Sequence, residues 1–133
     1  MAEFKRDAVL KIGQIYRKAG RAQEEIQLYQ EALSSAQGLS EISNAEIQFQ
    51  IGEAYEVMND VEKAVEAYLK VPYLYGKDVA WVVKSYLRIA KIYEDREQWE
   101  KALTAYGKVA DMNVEESKFA KERIASIQQN VER

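Results

Sequence analysis

The chain has 133 residues, 47% apolar and 31% charged, with a formal net charge of −3, one Pro, six Gly and neither Cys nor His. One domain of this length buries roughly two-thirds of its unfolded surface, and the lack of Cys excludes disulfides, thiolate zinc sites, iron–sulfur clusters and thiol nucleophiles. The lack of His removes the usual general base and the commonest metal ligand, and the near-neutral charge gives no global pull toward nucleic acid or anionic lipid.

Residues 2–19 read as an amphipathic helix carrying Lys5, Arg6, Asp7 and Lys11, with Val9, Ile12, Ile15 and Tyr16 as its apolar stripe. This is not a targeting segment, so the default compartment is the cytoplasm, or the periplasm where a signal has been removed. Helices follow over 22–37 (Ile26, Tyr29, Leu33), 40–58 (Ile47, Ile51, Tyr55) and 61–74 (Val61, Val65, Tyr68, Leu69). Three more cover 78–95 (Tyr86, Ile89, Ala90, Tyr93), 98–110 (Trp99, Leu103, Tyr106) and 114–131 (Phe119, Ile124, Ile127, Val131). Gly20, Asn59 and Glu97 each stand four residues after a stripe-ending Tyr, and longer breaks fall at Gln37–Ser40, Tyr75–Asp78 and Asp111–Asn113. Asp60 and Asn113 suit N-caps, and Asn113 with Glu116 has capping-box spacing. Pro72 predicts an early end or a kink in helix 61–74. The longest apolar run, Val79–Val83, is far short of the roughly 20 residues that span a bilayer, so membrane insertion is not expected.

The order of residues repeats. Ile12-Gly13-x-x-Tyr16, Ile51-Gly52-x-x-Tyr55 and Ile89-Ala90-x-x-Tyr93 are offset by 39 and 38 positions, and a second tyrosine lies thirteen residues beyond each, at Tyr29, Tyr68 and Tyr106. Ala32, Val71 and Val109 follow three residues later, and Ala64 and Ala102 precede the second and third of these tyrosines by four. Small residues at Gly13, Gly52 and Ala90 let a second helix approach closely. A lone hairpin cannot bury its apolar face, so neighbouring hairpins stack.

This pattern resembles the tetratricopeptide repeat family, with its Leu-Gly-x-x-Tyr and Ala-x-x-x-Phe/Tyr-x-x-Ala signature, over residues 5–110. The resemblance implies an all-α fold: a right-handed α-solenoid of three hairpins (5–38, 44–76 and 82–110) closed by a capping helix at 114–131, within one domain over 1–133. The capping helix turns Glu115, Lys118, Lys121, Glu122, Ser126 and Gln129 outward. The N-terminal end has no such polar cap, which leaves room for upstream repeats in a longer parent chain. The long period also resembles repeats of bacterial envelope proteins such as the Tol-Pal accessory protein, most closely over Val71–Arg123. Three departures stand out. Glu25 takes the first repeat's alanine position, which predicts a looser hairpin or a carboxylate reaching solvent. Gln48 replaces the large residue that starts the second motif, and no repeat ends in the usual proline.

In such repeats the first helices line a concave groove that takes an extended or helical peptide. The resemblance places Lys11 and Gln14 there from repeat one, Phe49, Gln50 and Glu53 from repeat two, and Lys84, Leu87, Arg88 and Lys91 from repeat three. Lys84 and Arg88 match one pair of a carboxylate clamp whose other positions hold Leu10, Gln14 and Gln50, so a solvated charged face is preferred over carboxylate capture. Residues 39–76 carry two basic and seven acidic side chains, a net −5, which weighs against a nucleic-acid groove. Tyr73, Tyr75 and Trp81 flank the Pro72 break, either as junction packing or as an exposed patch. The carboxylates Glu53, Glu56, Glu94 and Asp95 have no orienting His, and neither a phosphate loop nor a nucleophile elbow is present. The expected function is therefore non-catalytic protein binding, without cofactor or metal. A self-assembling homo-oligomer or a scaffold within an envelope complex is the alternative.

Overall fold

Apolar residues recurring three and four apart put one hydrophobic stripe on each segment, and every stripe is realised as a helix. The computed structural model describes residues 2–35 and 41–131, with side chains described within 6–35 and 44–131. Among the described residues there are seven helices and no strand: α1 Ala2–Lys18, α2 Ala22–Ser34, α3 Glu41–Val57, α4 Val61–Leu74, α5 Val79–Asp95, α6 Trp99–Ala110 and α7 Ser117–Val131. The fold class is all-α, as the periodicity requires. The predicted break at Gln37–Ser40 lies outside the described residues.

Three of the turns are copies of one another. Gly20, Asn59 and Glu97 have φ of 75°, 60° and 57°, the left-handed region. Arg21, Asp60 and Gln98 donate their amides to the carbonyls of Tyr16, Tyr55 and Tyr93 at 2.8, 2.9 and 2.9 Å. Gly20, Asn59 and Glu97 donate to Arg17, Glu56 and Glu94 at 3.1, 2.9 and 3.0 Å. This pair of bonds is the Schellman closure of a helix C-terminus, and it recurs with the period read from the sequence. Only the first copy has glycine at the left-handed position. Replacing the exposed Glu97 by Gly is expected to stabilise the chain by ~0.5–1 kcal/mol, since relief of a left-handed side chain exceeds the added entropy of the unfolded chain. A lower urea midpoint for Glu97→Gly would contradict this.

Asp60 caps α4 as expected, its carboxylate accepting from the Lys63 amide at 3.2 Å. Asn113 does not cap α7. It takes φ 56°, and the helix starts at Ser117, whose Oγ accepts from the Val114 amide at 2.9 Å and donates to the Val109 carbonyl at 2.8 Å. Pro72 neither ends nor shortens α4. It sits in the last turn, where the helix runs on to Leu74 and the Tyr75 amide still reaches Val71 at 2.8 Å.

The chain divides into two compact units, residues 1–82 and 83–133. In the first, α1 packs on α2, α2 on α3 and α3 on α4. Ile26, Tyr29, Ile47, Ile51, Ala54 and Ala67 form its core, with Val9, Leu10, Leu33 and Tyr55 against it. The two tyrosines of the second helices explain the glycines of the first. A Cβ on Gly13 would overlap the Tyr29 phenol, and one on Gly52 would overlap the Tyr68 ring. Both rings are fully buried.

Two expectations are corrected here. Ile12 and Ile15 do not belong to the buried stripe of α1, being 43% and 66% exposed. The carboxylate of Glu25 does not snorkel; it is fully buried against Arg17, whose Nη2 lies 2.6 Å from its Oε2.

In the second unit α7 packs on α6, and Ala120 and Ile127 of α7 are buried, as are Ile89, Ala90, Tyr106 and Val109. Phe119 and Val131, read as core-facing, are half exposed because α7 turns Ser117 and Ala120 inward. The Phe119 ring still meets Tyr106 edge-on, with centroids 6.3 Å apart.

Candidate functional site

The residue that follows each stripe-ending tyrosine occupies one recurring place: Arg17, Glu56 and Glu94. Tyr68 Oη donates to Glu56 Oε1 at 2.5 Å, and Tyr106 Oη donates to Glu94 Oε1 at 2.7 Å. The first repeat inverts this chemistry. Arg17 stands where the others have Glu, and Glu25 stands where they have alanine. Arg17 donates to Glu25 from Nε and Nη2, and Nη2 reaches Gln50 Oε1 at 3.1 Å and the Gln50 carbonyl at 3.3 Å. Its Nη1 lies 3.5 Å from Glu53. One guanidinium thereby ties α1, α2 and α3 together. Burial opposes its charge, but the hydrogen bond and the attraction to Glu25 win and raise its pKa. The displaced partner is Tyr29, whose hydroxyl has no hydrogen bond. Burial, then the Glu25 charge, raise the Tyr29 pKa.

Glu94 is the corresponding hub of the second unit, bonded to Tyr106 of α6 and to Arg123 of α7. The Tyr106 phenol is pushed up to about 12, first by burial and then by its bond to the Glu94 carboxylate. Because the folded pKa exceeds the unfolded value, this stabilisation is complete below pH ~10 and is lost as pH rises toward 12. Urea unfolding across that window should therefore lose stability more steeply in the wild type than in Tyr106→Phe. Parallel curves would contradict the linkage.

The residues chosen from the sequence divide by environment. Lys11 and Gln14 are exposed on α1. Gln50 and Glu53 are half-buried and face Arg17. Phe49 is a correction, because its ring is 5% exposed, with the Tyr68 and Trp81 rings each at 5.1 Å between centroids. It is a core residue and presents no surface to a partner. In the second unit Lys84 and Lys91 are exposed, while Leu87 and Arg88 are half-buried. Lys91 Nζ lies 2.9 Å from Asp95 Oδ1, and this hydrogen bond raises the ammonium's pKa.

Tyr73, Tyr75 and Trp81 do not act as one patch. Trp81 packs on Phe49, Tyr75 is half-buried and Tyr73 is 86% exposed. A cleft of about 480 Å³, not anticipated from the sequence, lies between α2 and α4 over a floor of Gln48, Ile51 and Tyr55. The signal for it was Gln48, which is 5% exposed and donates Nε2 to the Ala67 carbonyl at 3.0 Å. A polar residue at that motif position grips α4 instead of filling the space.

Among the described residues no group of three or more acidic, His or Cys side chains is placed to hold a metal, and no helix is long and apolar enough to cross a membrane. No curated protein is a significant match to the chain. The family model "Soluble NSF attachment protein, SNAP" matches residues 13–123, most of the sequence. That family is a TPR-like helical repeat of the adaptor type, and the match lends no support to a kinship with the Tol-Pal accessory protein. With its repeated Schellman turns and tyrosine-over-glycine packing, the chain belongs to the soluble NSF attachment protein (SNAP) family.

Proposed function

We propose that this chain is a non-catalytic adaptor that binds an extended or helical segment of a partner protein, each unit contributing its own contact surface. The observation that carries the reading is the family match over residues 13–123. The family's description names attachment to NSF, which makes NSF the first partner to test. In the first unit the contacts are Lys11 and Gln14, with Gln50 and Glu53 held in place by Arg17. In the second they are Lys84, Leu87, Arg88 and Lys91, spaced along one face of α5. Phe49 belongs to the core beneath and is left out of the contact set.

Reversing Lys84 and Arg88 together to Glu is expected to weaken NSF binding about tenfold or more, with circular dichroism and melting temperature nearly unchanged. Unchanged affinity in a folded variant would remove the α5 surface from the proposal.

A further inference from the structure

The cleft between α2 and α4 lies at an off-pattern position of the repeat. The place of Gln48 is held by Val9 in repeat one and by Tyr86 in repeat three. Gln48 instead gives its amide to the Ala67 carbonyl at 3.0 Å, beside about 480 Å³ of open space above Ile51 and Tyr55. That volume falls within the roughly 300–1,000 Å³ of clefts that take a ligand. Gln48, Ile51 and Tyr55 are spaced three and four apart and form one stripe of α3, whereas Gln50 and Glu53 lie on its other side. The cleft is therefore separate from the face that Arg17 organises.

Its charge runs against its surroundings. Residues 39–76 hold seven acidic and two basic side chains, and both basic ones, Lys63 and Lys70, line the cleft. Both are exposed on α4. Lys63 Nζ lies 5.9 Å from the centre of the Tyr55 ring and 4.0 Å from Asp60 Oδ2. One acid, Glu66, stands between the two lysines on the same wall and is also exposed. Two cations about 10 Å apart along the helix, with an anion between them, suit an occupant that is acidic at both ends and uncharged in the middle. Leu33, Ile51 and Leu74 give the uncharged part an apolar bed, and Leu74 is 52% exposed. Gln30 on the α2 wall and Gln48 on the floor add two carboxamides, each with a donor and an acceptor. Such groups serve an extended main chain, whose N–H and C=O are unpaired, and offer little to a helix, whose own are already bonded.

We infer that the α2–α4 cleft is a second docking site, for a short extended segment of a partner protein in which two carboxylates flank aliphatic residues. At about 3.3 Å per residue, three residues of extended chain span the distance between the two lysines. The carboxylates pair with Lys63 and Lys70, the aliphatic side chains pass Glu66 onto Leu33 and Leu74, and Gln30 and Gln48 bond the main chain. The neighbouring connection 36–40, Ala-Gln-Gly-Leu-Ser, has no carboxylate side chain and so lacks the chemistry of this occupant.

The probe is the peptide Ser-Glu-Leu-Val-Glu-Ser, acetylated and amidated, added to the whole isotope-labelled chain. Amide NMR signals of Gln30–Ser34, Gln48–Tyr55 and Lys63–Tyr75 should move, with half-saturation at or below about 1 mM peptide. Replacing both peptide glutamates by Gln, or Lys63 and Lys70 together by Glu, should weaken binding about tenfold or more. Exchanging the peptide's Leu and Val for Ser should do the same. Lys84→Glu with Arg88→Glu should leave it unchanged, which separates this site from the α5 surface proposed above. No movement at that concentration, movement confined to α1 or α5, or equal binding by the Gln peptide or by the folded Lys63→Glu, Lys70→Glu variant would overturn the inference. A dimer of the chain that this double variant dissociates would assign the cleft to a second copy, and would also overturn it.

Discussion

Replacing Arg17 by Met is expected to cost about 3–5 kcal/mol. The reason lies in Glu25, whose side chain is fully buried and whose two oxygens accept from Arg17 at 3.0–3.1 Å from Nε and 2.6 Å from Nη2. With the guanidinium gone, a buried carboxylate faces the Tyr29 hydroxyl and no cation. Gln50 and Glu53 lose their partner on α1 at the same time. The remedy is written in the other repeats. Arg17→Glu combined with Glu25→Ala gives repeat one the pattern of repeats two and three, and sets a carboxylate where Tyr29 can donate to it, as Tyr68 donates to Glu56. That double variant should recover most of the loss, short of full recovery because Glu53 then lies near a second carboxylate. Urea unfolding of the three proteins decides the matter. A cost below ~1 kcal/mol for Arg17→Met would place the ion pair among exposed, weakly stabilising ones.

Gly52→Val should cost about 3 kcal/mol, at the upper end of what overpacking usually costs. Even one added carbon overlaps the Tyr68 ring, which is fully buried and pinned by Phe49 and Glu56. Gly52→Ala is milder, about 1–2 kcal/mol, because the helix gains propensity and because the equivalent Ala90 in repeat three is accommodated with no exposure. Gly107→Ala reverses the sign. Nothing lies within 4 Å of its added Cβ, so the change removes only the entropic disadvantage of glycine in α6 and should stabilise by ~0.5–1 kcal/mol. Thermal melts of the three variants test the pair. A stabilising Gly52→Ala would show that Tyr68 gives way.

Much of this architecture was legible because the same physics recurs three times. A tyrosine followed four residues later by Gly20, Asn59 or Glu97 announced a helix stop, and the structure closes all three stops with the same two hydrogen bonds. Pairing Gly13 and Gly52 with a second helix announced a close approach, met by Tyr29 and Tyr68. The misreadings arose where a residue's neighbour in space is set by another element. Ile12 and Ile15 repeat correctly with their helix, but periodicity does not say whether anything covers the face they form. Phe49 sits beside polar Gln50 on a helix, and only the Tyr68 and Trp81 rings show it to be core. The Arg17–Glu25 exchange left a trace in two residues of opposite charge eight positions apart, but Glu25 was read alone, as a loosened hairpin or a carboxylate reaching solvent, and its partner Arg17 was not singled out. The carboxylates Glu56 and Glu94, set aside as a catalytic group for want of an orienting His, each accept from a tyrosine and order a hairpin, a role the sequence did not announce.

If the chain binds a protein through the first helices of its repeats, hydrogen exchange with and without NSF will show it. Amide exchange should slow on binding in α1, α3 and α5, around Lys11, Gln50 and Lys84–Lys91, with α2, α4 and α6 unchanged. Protection confined to α2, α4 and α6, or no change at NSF concentrations that saturate a known SNAP-family member, would contradict it.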